Sequence, residues 1–281
     1  MNQKSVDVKE KEYLTKCHQE LLVLLKFVDE FCAKHSINYS ISCGTMLGAV
    51  RETGFIPWDD DADIIFTRKE FIKFAYALEN DNIPSDIGIY KPKEKSKFFD
   101  YNYRIYYKND ILRDDKDCLK DYDGLFSHAT IDVFILDEIP KNEFLNRLYV
   151  IKQQFVFGLS MSKREIIHYN KYSFIEKIVI FILSNIGKLF SVKTLCELHD
   201  KVSMSYMDRN DTRYYCTSWK PEYPGYQYDK EDFSDFIRIK FENTELSVIK
   251  NYDKILRYDY DDNYMVPKRT HTHDEKFLNT L

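Results

Sequence analysis

"GTMLGAVRETGFIPWDDDADIIF", Gly44 to Phe66, decides how this chain is to be read. Asp59, Asp60, Asp61 and Asp63 cluster there and run directly into Ile64, Ile65 and Phe66. Acidic clusters belong in solvated loops, whereas an apolar run of this kind belongs in a buried strand. Side chains alternate faces along a strand. A strand from Asp61 to Phe66 therefore presents Asp61 and Asp63 together and turns Ala62 and Ile64 into the packing. Two carboxylates held side by side repel one another unless a cation lies between them. Hard oxygen ligands select Mg²⁺ or Mn²⁺, and Mg²⁺ commonly takes one or two carboxylates together with substrate phosphates. The competing reading is a solvated turn. The strand behind the cluster and the glycine-started helix before it favour the metal.

Upstream, "INYSISCG", Ile37 to Gly44, alternates as a strand ending in glycine, and "TMLGAVRET" follows as a short helix. Thr45 is expected as its N-cap and Gly54 as its stop. A strand-to-helix turn of this type offers backbone N–H groups and a positive dipole end to a phosphate. Gly44 would allow close approach and the Thr45 hydroxyl would donate, although many such glycines serve sterics alone. Arg51, two turns along, would reach a phosphate or pair with Asp59 or Asp60. Asp132 in "TIDVFILD" is an acid inside an apolar strand, where burial without a partner is costly. It is the candidate third carboxylate of a metal-dependent transfer site, or else a structural hydrogen-bonding group. Asp137 is read as a turn residue.

The remainder of the 281 residues gives the frame. A long helix is expected from about Val6 to His35, and another from Arg68 to Glu79. Further strands are expected around Tyr101–Tyr107 and Thr130–Leu136. From Lys141 to about Asn210 glycine and proline nearly vanish and helical periodicity dominates. The end of the chain reads as short strands and loops with a helix near Leu246–Tyr258. The fold class is α/β or α+β, a sheet core carrying a helical insertion. Forty-one basic and 46 acidic side chains leave a net charge of -5, which gives no general reason to expect nucleic-acid binding. The six cysteines, Cys17, Cys32, Cys43, Cys118, Cys196 and Cys216, form no CxxC pair and are expected as reduced, mostly buried thiols. His271 and His273 lack a third ligand and are read as surface residues. The N-terminus shows no apolar signal region, so a cytoplasmic location is expected.

The stretch Gly44–Arg51, followed by Gly54–Asp61 and Asp63, closely resembles the signature of the LicD family of phosphocholine and phospho-alditol transferases, related to fukutin-related protein. "IDVFILD", Ile131 to Asp137, is similar to that family's second block, and Phe241-Glu242 with "YDDNYMVP", Tyr260 to Pro267, to its C-terminal block. Ile135, Lys108–Asp110 and Asp261 depart from the usual pattern, the last standing where glycine is usual. The resemblance implies one transferase domain over residues 1–281. It would comprise a nucleotidyltransferase-like core (1–140), a helical insertion (141–212) and a C-terminal segment completing the site (213–281). It implies transfer of a phospho-substituent, phosphocholine foremost, from a CDP-linked donor such as CDP-choline to a sugar hydroxyl, releasing CMP. The implied acceptor is a glycan or lipid-linked oligosaccharide of lipopolysaccharide, capsule or teichoic acid. Carried over by position, Asp61, Asp63 and Asp132 are the catalytic and metal-binding acids, and Gly44 and Thr45 lie at the donor phosphate.

Residue chemistry adds Arg51 and Arg104 as phosphate contacts. A choline ammonium would sit among aromatic faces, for which Trp58, Tyr101, Tyr103 and Trp219 are available. "FIEKIVIFILSNIGKLF", Phe174 to Phe190, is too short and too interrupted to span a membrane. It reads as a packed helix or as an interfacial one making peripheral contact with the inner face of the cell membrane. The rival functions are a nucleotidyltransferase releasing pyrophosphate and a non-catalytic glycan-binding scaffold.

Overall fold

Long-range order begins with helix α1, Gln3–Lys34, whose Leu21, Leu24, Leu25 and Val28 recur at helical spacing and are fully buried. The computed structural model describes residues 3–112 and 121–268. Cys118, His271 and His273 lie outside the described residues. Two compact units result. The first takes Met1–Tyr90, Arg104–Val133 and Glu231–Thr280; the second takes Lys91–Tyr103 and Phe134–Lys230.

In the first unit β1 (Ser40–Ile41), β2 (Ala62–Thr67), β3 (Ile87–Tyr90), β4 (Tyr103–Tyr107) and the start of β5 (Thr130–Pro140) form a sheet in the order β1-β2-β5-β4-β3. Strand β1 runs antiparallel to β2, with Ser40 opposite Ile65 and Ile41 opposite Ile64. Helices α2 (Cys43–Arg51) and α3 (Arg68–Asn80) flank β2 in sequence. Phe66 of β2 stacks on Phe74 of α3 with ring centroids 4.7 Å apart, and Phe31 of α1 meets Phe74 edge-on at 5.8 Å. These contacts are the core on which the acidic segment rests.

The C-terminal part of this unit differs from expectation. Leu246 to Ile249 belong to a strand, not a helix: β8 (Phe236–Phe241) and β9 (Thr244–Ile249) form an antiparallel hairpin closing at Phe241 opposite Thr244. The cause is alternation. Leu246 and Val248 are buried while Glu245 is exposed, and Glu242 takes φ +51 in the two-residue turn. The helix starts later, as α7, Tyr252–Tyr260.

The second unit holds the rest of β5, paired with β6 (Thr212–Cys216) from Leu136 opposite Cys216 to Pro140 opposite Thr212, and β6 pairs with β7 (Gln227–Tyr228). Asp137 is therefore a strand residue and not a turn. It is fully buried and accepts a hydrogen bond from Thr217 Oγ1 at 2.5 Å. Helices α4 (Glu143–Ser160), α5 (Phe174–Gly187) and α6 (Val192–Ser203) fill the helical stretch foreseen from composition. Asn142 caps α4, Ser173 and Glu176 form a capping box on α5, and Ser191 caps α6. None of the five described cysteines is in a disulfide, and burial pushes Cys196 up to about 12 and Cys216 up to about 11.

Candidate functional site

Helix α2 begins at Cys43, two residues earlier than the sequence suggested, with Ser42 in an extended N-cap position. Thr45 is consequently inside the first turn and is not the cap. Its buried Oγ1 accepts the Asp63 N–H at 2.8 Å, while the Ser42 N–H donates to the Asp63 carbonyl at 3.0 Å. Both backbone groups of Asp63 are thereby fastened to the start of α2. This is why Thr45 is needed: β2 must end its pairing where the helix begins, and the hydroxyl supplies the missing acceptor.

Gly44 serves the same junction sterically. A β-carbon there would overlap the Asp59 carboxylate, so the glycine clears a seat for an acid over the first turn of α2. An anion placed there is favoured by the helix dipole. Gly54 works in the same way for Glu242, whose carboxylate occupies the space a side chain at Gly54 would fill and accepts the Phe55 N–H at 3.1 Å. The helix is stopped by Thr53, at φ +58, and not by Gly54 itself.

Helix α1 holds the acidic loop from behind. His18 stacks on Phe55, centroids 4.5 Å apart, and its Nε2 lies 2.7 Å from the Asp59 carbonyl. The Cys17 thiol donates to the Asp60 carbonyl at 3.2 Å, and Tyr13 donates to Asp60 Oδ2 at 3.0 Å. Carboxylate oxygens of Asp59, Asp60 and Asp61 can be chosen that all lie within 4.8 Å of one another. Three hard oxygen donors so close fit a divalent cation of the Mg²⁺ or Mn²⁺ class. Asp61 precedes β2 by one residue, yet it and the buried Asp63 face one cavity, while Ala62 and Ile64 are fully buried.

That cavity encloses about 430 Å³. Cys43, Gly44 and Arg51 line it from α2, Trp58, Asp59, Asp61 and Asp63 from the acidic segment, and Tyr260, Asp261, Tyr264 and Lys268 from the C-terminal stretch. Arg51 pairs with Glu52 at 2.8 Å and donates to the Tyr264 carbonyl at 3.3 Å. Asp261 stands at φ +93, a backbone conformation suited to glycine, and its carboxylate takes the Asn263 N–H at 2.7 Å and Lys268 at 3.0 Å. Burial first, then Cys43, Asp63 and Asp59, push the Tyr260 hydroxyl far above the usual phenol range. Although 38% of the residue is exposed, the group is a protonated donor at neutral pH.

The other expected site residues are distributed differently. Asp132, on β5 beside β2 in the sheet, does not line the cavity. Its Oδ1 lies 2.7 Å from Arg104 Nε, and Oδ2 accepts from Nη2 at 3.2 Å. Arg104 is 1% exposed and is boxed by the rings of Tyr90 and Phe126, 6.0 and 5.4 Å from its guanidinium carbon. Trp58 lines the cavity. Tyr103 opens β4, and Trp219 meets Phe134 edge-on at 6.1 Å in the second unit. Tyr101 is buried in that unit, stacked on His199 with its hydroxyl 2.6 Å from Ser160 Oγ. Sequence reasoning did not single out Tyr260, Tyr264 and Lys268 as cavity residues. The signal available for the two tyrosines was their place in "YDDNYMVP".

Residues 36–161 match the family described as LicD/FKTN/FKRP, nucleotidyltransferase domain. The chain is 27% identical over 265 residues, 89% of its length and 91% of the relative's, to the lipopolysaccharide cholinephosphotransferase LicD of Haemophilus influenzae. It is 32% identical over 142 residues to an uncharacterized protein of Rickettsia typhi, a match covering 49% of this chain and 39% of that one. A Rickettsia prowazekii protein, also uncharacterized, is 46% identical over 58 residues, 21% of this chain and 22% of its own.

Proposed function

We propose, for a chain that carries a LicD-family nucleotidyltransferase domain over residues 36–161, that it is a transferase of substituted phosphate groups, phosphocholine foremost. The donor is a CDP-linked compound such as CDP-choline, and the acceptor is a sugar hydroxyl of a cell-surface glycan or its lipid-linked precursor, met at the cytoplasmic side of the membrane. The observation that carries this reading is the cavity in which Asp59, Asp61 and Asp63 meet the first turn of α2.

In the reaction, the acceptor oxygen bonds to the choline-bearing phosphorus. The bond from that phosphorus to the bridging oxygen breaks, its electron pair leaves with CMP, and the hydroxyl proton passes to a carboxylate. That carboxylate is one lining the cavity, Asp59, Asp61 or Asp63, since Asp132 lies outside it, paired at two points with Arg104. The N–H groups of the first α2 turn and Arg51 line the side where the departing nucleotide phosphate gathers charge. Asp61 and Asp63, with Asp59, would hold Mg²⁺ or Mn²⁺, which supplies neutralisation of the diphosphate. Trp58 and Tyr260 offer aromatic faces to a choline ammonium.

The test is incubation with Mg²⁺ and CDP-choline, CDP-ribitol or CDP-glycerol, with and without candidate oligosaccharides, scoring CMP. Asp61→Asn with Asp63→Asn should lower CMP release at least ~10³-fold while the protein stays folded, the scale lost when charge-stabilising groups are removed. Release of pyrophosphate from a nucleoside triphosphate, with no CMP from any CDP donor, would replace this reading by nucleotidyl transfer.

A further inference from the structure

Helix α5 is apolar on nearly every side yet packs by a single stripe. Ile180, Ser184 and Gly187 are buried, and Gly158 and Gly187 permit the close approach to α4: a β-carbon at Gly158 would overlap Leu183, and one at Gly187 the Leu159 carbonyl. The packed helix foreseen from sequence is thus packed on one edge only. Phe174, Ile175, Ile178, Phe181, Ile182 and Ile186 remain between 42% and 76% exposed, and Leu189 just beyond is 82% exposed. Neighbouring α4 adds a second stripe at helical spacing, with Phe144, Leu148, Ile151 and Phe155 all exposed. Scattered exposed apolar residues are ordinary, but a contiguous set of large ones marks an interaction surface.

Charge indicates what covers it. Residues 141–193 contain nine lysines and arginines against three glutamates and no aspartate, within a chain whose net charge is -5. Among them, Lys163 donates to the Lys188 carbonyl at 3.3 Å, which gathers two cations at the C-terminal end of α5. An apolar face within a basic segment matches the boundary between anionic headgroups and acyl chains. Fourteen residues give about 21 Å of helix, short of the ~30 Å hydrocarbon core. Accordingly, no single described helix is long and apolar enough to cross a membrane.

We infer that the exposed face of α5, extended by α4, docks on an anionic lipid surface, lying in the interface plane without spanning it. This rests on the second unit alone and holds whether or not the transferase reading does.

The experiment is co-sedimentation of the full chain with phosphatidylglycerol–phosphatidylcholine vesicles and with pure phosphatidylcholine vesicles. Binding to the anionic vesicles, weakened by added salt, is expected. Phe181→Asp with Ile182→Asp should reduce it at least tenfold, and Lys163→Glu with Lys188→Glu should reduce it on anionic vesicles alone. Thermal unfolding of each variant checks that the fold persists, as substitutions at exposed positions should allow. Absence of vesicle binding, equal uptake by neutral vesicles, or binding unchanged in both variants would overturn the inference. So would a lipid-free dimer that the Phe181/Ile182 variant converts to monomer while vesicles fail to bind, since a second copy of the chain would then be the occupant.

Discussion

Replacing Gly44 by alanine should leave the protein folded while disarming its acidic cluster. Gly44 is helical and has no positive φ, so alanine there gains about 0.5–1 kcal/mol of helix propensity. Against this, the new β-carbon overlaps Asp59 Oδ2, the far end of a side chain that can turn away. Moving it off its rotamer costs about 0.5–1.5 kcal/mol, so the net change in stability stays within ~1 kcal/mol. Gly48→Ala is the contrast. Its β-carbon would meet the Gly54 carbonyl oxygen and, at 3.1 Å, the Ile56 nitrogen, and neither backbone atom can yield. A cost of about 2–3 kcal/mol or more is expected, read as a fall of several degrees in Tm. Mn²⁺ titration followed by electron paramagnetic resonance, beside thermal unfolding, tests the pair. Gly44→Ala should weaken Mn²⁺ about 10–100-fold at nearly unchanged Tm, the scale seen when a ligand's supporting contacts are disturbed. In an Asp59→Ala background the same Gly44→Ala change should become stabilising by ~0.5–1 kcal/mol. Equal Tm losses for Gly44→Ala and Gly48→Ala, or unaltered Mn²⁺ affinity in Gly44→Ala, would refute the reasoning.

Two further outcomes concern groups away from the cavity. Arg104→Met removes the two-point ion pair of the Asp132 carboxylate and should cost about 3–5 kcal/mol in urea unfolding, with much of the loss recovered in Arg104→Met/Asp132→Asn. Equal stability of the single and double variants would show that the pair is not coupled. Glu20 is 5% exposed, and burial, then the facing Asp110, raise its carboxyl from 4.5 to about 7. Because the folded pKa lies above the unfolded one, the stability tied to its proton is complete below about pH 4.5 and lost as pH rises through 7. Glu20→Gln should therefore gain about 2–3 kcal/mol relative to the native chain between pH 5 and pH 8. Unfolding midpoints at those two pH values check it, and parallel pH profiles would exclude the effect.

How much could be read beforehand depended on the range of the interaction. Alternation along Ala62–Phe66 is a local property, and it placed Asp61 and Asp63 on one cavity although Asp61 lies just outside the strand. The helix start after Ser42 was legible to within two residues. The role of Thr45 was not, because its hydroxyl answers to the N–H of Asp63, 18 positions away. Only the end of β9, Leu246–Ile249, falls within the helix expected near Leu246–Tyr258, where Leu246, Ile249 and Leu256 keep helical spacing. Only pairing with β8 resolves that ambiguity. Tyr260, Tyr264 and Lys268 enter the cavity from some 200 residues downstream of α2; no periodicity encodes that closure, and only the family-like block "YDDNYMVP" pointed to the C-terminal segment.

The glycines show most clearly why pattern alone falls short. A glycine in sequence is compatible with a left-handed turn or with an absent side chain, and these have different consequences. In the segment from Gly44 to Phe66 the turn is made by Thr53 at φ +58, a residue with no turn signature, whereas Gly44 and Gly54 are both cleared for carboxylates, Asp59 and Glu242. The second of these arrives from the β8–β9 turn, and its bond to Phe55 N bridges 187 positions. Glu242 thereby anchors the loop that ends in Asp59, with His18 of α1 holding the Asp59 carbonyl from the other side. The acidic cluster is kept together by contacts to its backbone from α1, α2 and the C-terminal hairpin. The backbone that carries these carboxylates is thus set by the fold itself, which is the preorganisation a charge-stabilising site requires.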